Sequence, residues 1–260
     1  MKEKRNVKHQ VLKALFYIFL TVFILCVLYI GYFKILKPYM QNLSNQKHKN
    51  PISTNVGTTV ELPENPIDFA SLRSENSDIY SWIEIKNTNI DYPIYNPFGK
   101  DDSFYLRRGK DKTYLHEGVI YTENQTSTDW SDRVSLVYGH NIWTAGTMFY
   151  ELHNFEDKEF FDKTKKMTIY AQGEIRTYEI YSAFEYDNRH ILNAFDFTDD
   201  TVYQEFLDYT KNPTTLVKQV REETTVTTDD KIVVLSTCIK NKPNNRYLVV
   251  GVLTNVQKTK

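Results

Sequence analysis

Cysteine is scarce in this chain of 260 residues, with Cys26 and Cys238 as the only two. Two widely separated cysteines cannot build the disulfide framework that staples small secreted domains. No CxxC or HxxxH spacing occurs either, and such spacings are what zinc sites commonly use. We therefore expect no metal ion and no other cofactor.

Glycine and proline are also few, with 9 and 8 residues, which argues against long low-complexity segments. A net positive charge is lacking outside the N-terminus. Residues 1–37 hold seven Lys or Arg and one Glu, a balance of +6, and the whole chain has a formal charge of −1, so the remainder carries −7. Because nucleic-acid-binding domains present a basic surface, we expect no nucleic-acid partner.

One long uncharged run is present, ALFYIFLTVFILCVLYIGYF, at residues 14–33. At about 1.5 Å per residue, a helix of this length crosses a hydrocarbon core of about 30 Å. Five basic residues precede the run and only two follow it closely, so the positive-inside rule places residues 1–13 in the cytoplasm. A cleaved signal peptide is the alternative, but the run is long for one and no small-residue cleavage site follows it. We predict a single-pass cell-membrane anchor with the rest of the chain outside the cell.

The chain after the anchor divides into a polar extracellular stalk, 34–66, and a folded domain, 67–260. The stalk contains four prolines and shows no apolar periodicity. The domain is long enough for one sizeable core. It contains Cys238 as its single cysteine, and a lone thiol outside the cell is either buried and inert or retained for chemistry.

Short strand-like runs dominate the domain. They cover Ile90–Tyr95, Gly118–Tyr121, Val134–Tyr138, Met167–Ala171 and Ile175–Phe184. Helices are predicted in Ile67–Ile83, over Thr147–Phe161, and from a cap at Thr198 to the residues before Pro213. Many short strands with a few peripheral helices predict a mainly β fold, closed or nearly closed into a barrel.

Two further apolar runs carry reactive groups at their ends, KIVVLSTC ending at Cys238 and RYLVVGVL beginning at Arg246. If they pair as an antiparallel hairpin, the thiol and the guanidinium lie at the same edge of the sheet. A positive charge beside a thiol favours the nucleophilic thiolate. The residues between them, 239–245, are predicted to form a short loop.

The domain offers four histidines as an acid–base partner of this thiol, and His140 is the best candidate. It follows the predicted strand Val134–Tyr138 after a single glycine, so it also lies at a strand end. His153 lies in the helix predicted over Thr147–Phe161, and His116 and His190 lie in polar connecting segments. Spacing alone leaves another interpretation open, in which His140 only bonds within a turn and Cys238 is a small buried hydrophobe.

Three separated motifs resemble those of the sortase family. VLSTC at 234–238 resembles the (T/V)LxTC signature, Arg246 opens the following strand, and YGHN at 138–141 resembles the histidine motif. The resemblance extends from about Phe69 to Leu253. Helices before the barrel, after the histidine and near Thr201–Lys211 make class B the best match. A pilus-building class C enzyme is less favoured because no clear lid motif is present.

The resemblance implies an eight-stranded sortase-type β-barrel with peripheral helices, preceded by one transmembrane helix. It implies a cysteine transpeptidase on the outer face of a Gram-positive cell membrane, which cleaves a C-terminal sorting signal of surface proteins. Class B relatives recognise signals of the Asn-Pro-x-Thr type. The enzyme forms a thioacyl intermediate and then joins the protein to an amine of the cell-wall peptidoglycan precursor.

The same resemblance assigns roles to residues of this chain. Cys238 is the nucleophile, His140 is the general acid and then the base, and Arg246 holds the substrate backbone and stabilises the oxyanion. Tyr138 and Ser236 contact the peptide substrate, or are ordinary strand side chains. Some class B members carry an acidic residue in the segment after the cysteine, and this sequence has none there.

Two other functions are compatible with the sequence. A membrane-tethered cysteine peptidase would hydrolyse the signal without transfer to an amine. A non-enzymatic surface scaffold built on a β-barrel would have an unreactive Cys238 and would not require His140.

Overall fold

The computed structural model describes residues 2–49 and 62–260. The chain forms two compact units, one ending at Leu43 and the other comprising Ser44–Lys260. The second unit begins ahead of the predicted domain boundary at Ile67. Lys49 explains the difference, because its ammonium group binds Asp91 at 2.6 Å and its backbone forms a β-bridge with Ile67.

The N-terminal unit is helical. It contains α1, Lys2–Gly31, a π-helical turn, Tyr32–Leu36, and most of α2, Lys37–Gln46. The helical stretch Leu12–Gln46 has a mean hydropathy of 2.6 in its most apolar window and is the one helix of the described residues long and apolar enough to cross a membrane. The predicted anchor at 14–33 lies within it. Much of the predicted stalk, 50–61, lies outside the described residues.

Among the described residues, eleven strands lie in the second unit. They are β1 Ile79–Ile85, β2 Asp91–Tyr95, β3 Ile120–Tyr121, β4 Val134–Tyr138, β5 Asn141–Ile142, β6 Thr147–Met148, β7 Lys166–Ala171, β8 Glu174–Asp187, β9 Lys218–Val220, β10 Ile232–Ile239 and β11 Lys242–Lys258. Eight of them pair in the order β11-β10-β4-β3-β2-β1-β7-β8, and β8 pairs with β11 to close the ring. Strand β9 adds to β8, and β5 and β6 form a separate hairpin. The predicted eight-stranded barrel is confirmed.

The central strands β4, β10 and β11 are buried on both faces, which explains their nearly continuous apolar sequences. Alternate residues such as Val233 and Leu235 point into the barrel core. Their neighbours Ile232 and Val234 pack in a second cluster with Phe206. That phenylalanine lies on α6, Asp200–Lys211, so this helix covers the outside of the barrel there.

The remaining helices are short. They are α3 Phe69–Glu75, the 3₁₀ helices Phe104–Arg107 and Tyr150–Glu156, α4 Lys158–Lys163 and α5 Ile191–Ala194. Aspartates cap three of the α-helices: Asp68 caps α3, Asp157 caps α4 and Asp199 caps α6. Each accepts a hydrogen bond from a backbone N–H of the first turn, which leaves fewer unpaired donors at the helix start.

Three helix predictions need correction. Thr198 is not the cap of α6, because the carboxylate of Asp199 accepts from the first-turn amides instead. The predicted helix over Thr147–Phe161 begins as strand β6 and continues as a 3₁₀ helix and the start of α4. The segment Ile79–Ile83 is strand β1, because it pairs with both β2 and β7 inside the sheet. The prediction of a helix within Ile67–Ile83 is confirmed only for Phe69–Glu75.

Candidate active site

Cys238 and Arg246 are direct partners in the antiparallel pair β10–β11. The register shifts between Cys238 and Ile239, and the strands are joined by the two residues Lys240 and Asn241. Asn241 has φ 62°, a left-handed conformation that asparagine tolerates and hairpin turns use. The predicted loop 239–245 is thus a tight turn flanked by strand. Cys238 is exposed, so its interpretation as a buried hydrophobe is wrong.

His140 reaches the same edge through the parallel pair β4–β10. Tyr138 lies opposite Ser236 in this pair, and two residues further along each strand lie His140 and Cys238. Two hydrogen bonds continue the alignment past the last strand pair. The amide of Gly139 donates to the Ser236 carbonyl at 3.1 Å, and the Thr237 hydroxyl donates to the Gly139 carbonyl at 2.8 Å.

Close packing against the barrel core requires a glycine at position 139. A Cβ atom there would lie 2.5 Å from the Cδ1 of Ile120 and 2.6 Å from the Cδ2 of Phe149. Both neighbours are fully buried and cannot withdraw without opening the core. The glycine therefore lets the segment carrying His140 lie directly on the barrel core.

The ring of His140 is oriented by a backbone carbonyl. Its Nε2 lies 2.7 Å from the carbonyl oxygen of Leu106, which can only accept, so Nε2 carries a proton and Nδ1 is the nitrogen that gains and loses one. Burial lowers the pKa of His140 below its ordinary 6.5, and the positive charges of Arg107 and His116 act in the same direction, while the Leu106 carbonyl opposes them. The ring is therefore mainly neutral at pH 7.

Arg246 is held at the turn by its own neighbours. Its Nη1 donates to the carbonyls of Pro243 at 3.0 Å and Asn245 at 2.9 Å. Arg246, Tyr138 and Ser236 line a cavity of about 130 Å³. The cavity is also lined by Glu123, Leu136, Tyr186, Asp187, Asn188, Arg189, His190, Ile191 and Leu248. All five residues predicted for the site lie at one end of β4, β10 and β11, and three of them line this cavity, whereas Cys238 and His140 do not.

Tyr138 forms a polar wall of this cavity. Its ring stacks on Tyr121 with centroids 5.5 Å apart. Burial, then the negative charge of Glu123, raises the pKa of Tyr138 well above its ordinary value, so its hydroxyl stays protonated. Glu123 accepts from Nε2 of His190 at 2.9 Å, because Nδ1 of that ring accepts from the Asn193 amide. This wall of the cavity therefore combines a neutral phenol donor with one carboxylate.

Two residues that the sequence analysis gave no role contact the nucleophile's backbone. Asn141 Nδ2 donates to the Cys238 carbonyl at 3.0 Å, and His153 Nε2 lies 3.1 Å from the same oxygen. Asn141 belongs to the histidine motif, so its position beside His140 was a usable signal. His153 lies on the 3₁₀ helix Tyr150–Glu156, and no spacing in the sequence connects it to Cys238.

Other possible binding features lie elsewhere. A larger groove of about 840 Å³ runs beside Phe195 and Phe197, and neither Cys238, His140 nor Arg246 lines it. Within residues 2–49 and 62–260, no cluster of three or more His, Cys, Asp or Glu is arranged to hold a metal ion. The candidate site itself presents a thiol, an imidazole and a guanidinium.

Comparison with known proteins shows matches over most of the folded unit. A sequence model of the sortase domain matches residues 83–254. The chain is 27% identical to sortase B of Staphylococcus aureus over 72% of its own length and 75% of the relative. It is 26% identical to sortase B of Listeria monocytogenes over 79% of each chain.

The fold agrees with these matches. The crystal structure of Clostridium perfringens sortase B superposes with a TM-score of 0.64 at 28% identity, covering 72% of this chain and 99% of that one. The chain therefore belongs to the sortase family, a family of cysteine transpeptidases, and is a class B sortase.

Proposed function

We propose that this protein is a membrane-anchored transpeptidase in which Cys238 attacks a sorting signal of surface proteins. The Cys238 thiolate attacks the carbonyl carbon of the scissile bond, the amine leaves, and a thioacyl enzyme remains. An amine of the cell-wall precursor then attacks the thioester and releases the joined product. The single observation that supports this most strongly is the convergence of an exposed thiol, a half-buried imidazole and a guanidinium at one end of β4, β10 and β11.

The proposed role of His140 follows from its hydrogen bonding. Nε2 is engaged by the Leu106 carbonyl, so Nδ1 exchanges the proton with the leaving amine and later with the incoming one. A lowered pKa makes the imidazolium a stronger acid toward the leaving group than an ordinary histidine. It also leaves the neutral ring available as the base for the second step.

Arg246 is proposed to stabilise the tetrahedral intermediate. A guanidinium remains protonated at any working pH and offers several donors in a fixed plane. Its in-register position opposite Cys238 places the positive charge on the side of the sheet from which the thiol projects. One preorganised donor to an oxyanion contributes about 3–4 kcal/mol to transition-state stabilisation.

The cavity beside Arg246 is the proposed binding site for the signal peptide. Tyr138 and Ser236 line it together with Arg246, and their two hydroxyls are the proposed donors to a peptide group. For the acceptor, a solved sortase B with 26% identity and a TM-score of 0.64 to this chain is described in complex with triglycine. We infer a short glycine-like amine as the class of second substrate.

The N-terminal helix is the proposed anchor. The apolar stretch is preceded by Lys2, Lys4, Arg5, Lys8 and Lys13, which favours a cytoplasmic N-terminus and an extracellular catalytic domain. This orientation matches the location of the proposed substrates, the surface proteins and the cell-wall precursor.

The test uses the full chain in detergent micelles with an Asn-Pro-x-Thr peptide library and triglycine. We expect a product in which the peptide's new carboxyl end is joined to triglycine, formed by the parent and by Cys26→Ala but not by Cys238→Ala. Cleavage that is unaffected by triglycine would indicate a peptidase instead. Equal product from Cys238→Ala would show that the assignment of the nucleophile is wrong.

A further inference from the structure

A second histidine bridges the nucleophile and a carboxylate. Nε2 of His153 lies 3.1 Å from the carbonyl oxygen of Cys238. On the other side of the ring, Nδ1 lies 2.6 Å from Oε1 of Glu156. A carbonyl and a carboxylate only accept hydrogen bonds, so both contacts form together only when both ring nitrogens carry protons. The full set of contacts therefore belongs to the imidazolium form.

The ring is also fixed from a second strand. His153 stacks on Tyr247, with centroids 5.0 Å apart and an interplanar angle of 27°. Tyr247 is fully buried on β11 and follows Arg246 directly. The histidine thus contacts β10 through the Cys238 carbonyl and β11 through the tyrosine ring, next to the two residues at the centre of the proposed chemistry.

The contact with the Cys238 carbonyl lies at an irregularity in the pairing of β10 and β11. The register of β10 and β11 shifts immediately after Cys238, so regular pairing no longer fixes the peptide plane between Cys238 and Ile239. Asn141 Nδ2 and His153 Nε2 both bind the carbonyl of that plane. Asn141 is neutral, whereas His153 brings a charge when doubly protonated.

We propose that His153 is a positioning residue for the nucleophile. It fixes the Cys238 backbone at the irregularity, and as an imidazolium bound to Glu156 it places a positive charge at the Cys238 carbonyl, which favours the thiolate of the same residue. The groups facing the ring are Glu156 on its own helix, Cys238 on β10 and the neutral Tyr247 on β11. This inference rests on the proposed role of Cys238 and adds a second histidine to it.

Substitutions of His153 and Glu156 separate the effect of the imidazolium charge from the effect of the ring's shape. His153→Phe keeps a ring for stacking on Tyr247 and removes both donors. His153→Gln keeps one donor for the Cys238 carbonyl without the charge, and Glu156→Gln removes the carboxylate that holds the second proton. His48→Phe is the matched control, because His48 also contacts a glutamate, Glu75, at 3.1 Å.

The experiment measures the second-order rate constant for alkylation of Cys238 by iodoacetamide, from about pH 5 to about pH 9. The protein is the full chain in detergent with Cys26→Ala, so that Cys238 is its only thiol. At neutral pH we expect about tenfold slower alkylation for His153→Phe, a smaller loss for His153→Gln, and the parent rate for His48→Phe. The midpoint of the reactivity profile is expected to move to higher pH in His153→Phe and in Glu156→Gln.

Transfer to triglycine supplies a second readout, in which kcat falls and KM stays near the parent value. Parent-like alkylation in His153→Phe across the pH range, with the parent still forming joined product, overturns the inference and leaves the proposed function intact. Absence of joined product from the parent counts against the proposed function, whatever the alkylation rates are. If His153→Phe fails to fold, Glu156→Gln is the deciding variant: a reactivity profile displaced to higher pH supports the inference, and one that is unchanged or displaced to lower pH overturns it.

Discussion

Cys238 and Arg246 form the last regular pair of β10 and β11 before the register shifts at the turn. Directly opposed residues of antiparallel strands have side chains on the same face, so the guanidinium and the sulfur project from the same side of the hairpin. The backbone carbonyls of Pro243 and Asn245 bind one nitrogen of the guanidinium. The cation is thus positioned by the hairpin itself before any substrate binds.

Replacing Arg246 with lysine tests this arrangement. Lysine keeps the charge but loses the planar set of donors held by the turn, so we expect kcat for peptide transfer to fall by about a hundredfold, as when one oxyanion donor is removed. Steady-state kinetics measure the effect. Arg73→Lys is the control, because Arg73 lies on α3 and bonds to Gln172 there. Parent-like kcat in Arg246→Lys would show that charge alone is sufficient.

The lowered pKa of His140 predicts a pH dependence of stability. Because the folded-state pKa is below the unfolded value of 6.5, the unfolded chain binds the proton more readily. The contribution of the neutral ring is complete above pH 6.5 and is lost as the pH falls through 6.5 towards the folded-state pKa.

Urea unfolding of the parent and of His140→Gln over this range measures the difference. We expect the parent to lose more stability than the variant on acidification, by about 1.4 kcal/mol for each unit that separates the two pKa values. The other histidines are present in both proteins, so their effects cancel in the difference. Parallel stability curves would contradict the lowered pKa.

Substituting Gly139 tests the close packing beneath the histidine. Alanine would place its Cβ 2.5 Å from the Ile120 side chain, and overpacking of this kind costs about 1–3 kcal/mol. We expect Gly139→Ala to lower the free energy of unfolding by about 2 kcal/mol and to reduce kcat through displacement of His140. Gly173→Asn is the control, since Gly173 lies in open space at φ +80°, which asparagine tolerates. Equal stability of the two variants would contradict the packing argument.

The hydroxyl of Tyr138 is predicted to act in substrate binding. Tyr138→Phe removes a donor from the wall of the cavity, and a hydrogen bond of this kind changes affinity by about two- to tenfold. We expect KM for the signal peptide to rise by that factor with little change in kcat. Tyr170→Phe is the control for loss of a phenol hydroxyl, because the Tyr170 hydroxyl donates to Glu84 at 2.8 Å and Tyr170 does not line the cavity. A fall in kcat at constant KM would point to a role in the chemical step.

The strands that carry the site could be predicted because they are apolar on both faces and because each strand ends at polar residues. The apolar runs before Tyr138 and Cys238 have this pattern, and the structure places them side by side. Closure of the barrel depends on the pairing of β8 with β11, between residues far apart in sequence. No local pattern encodes that pairing, and the motif resemblance supplied only the expectation of an eight-stranded barrel.

The errors have local causes. Ile79–Ile83 has apolar residues at spacings that fit a helix as well as a strand, and only its two neighbours in the sheet decide between them. Thr198 and Asp199 are both good caps, and the choice depends on which side chain faces the first-turn amides. The role of His153 could not be predicted, because its contact with the Cys238 carbonyl joins segments that are distant in the sequence.

The central claim is that Cys238 forms a thioester with the signal peptide, and intact-mass spectrometry after mixing the full chain with peptide measures it most directly. The account predicts an adduct with the mass of the acyl fragment, located on Cys238 by peptide mapping, absent from Cys238→Ala and released by triglycine as joined peptide. Joined product that accumulates without any such adduct, or an adduct that persists in Cys238→Ala, would contradict it.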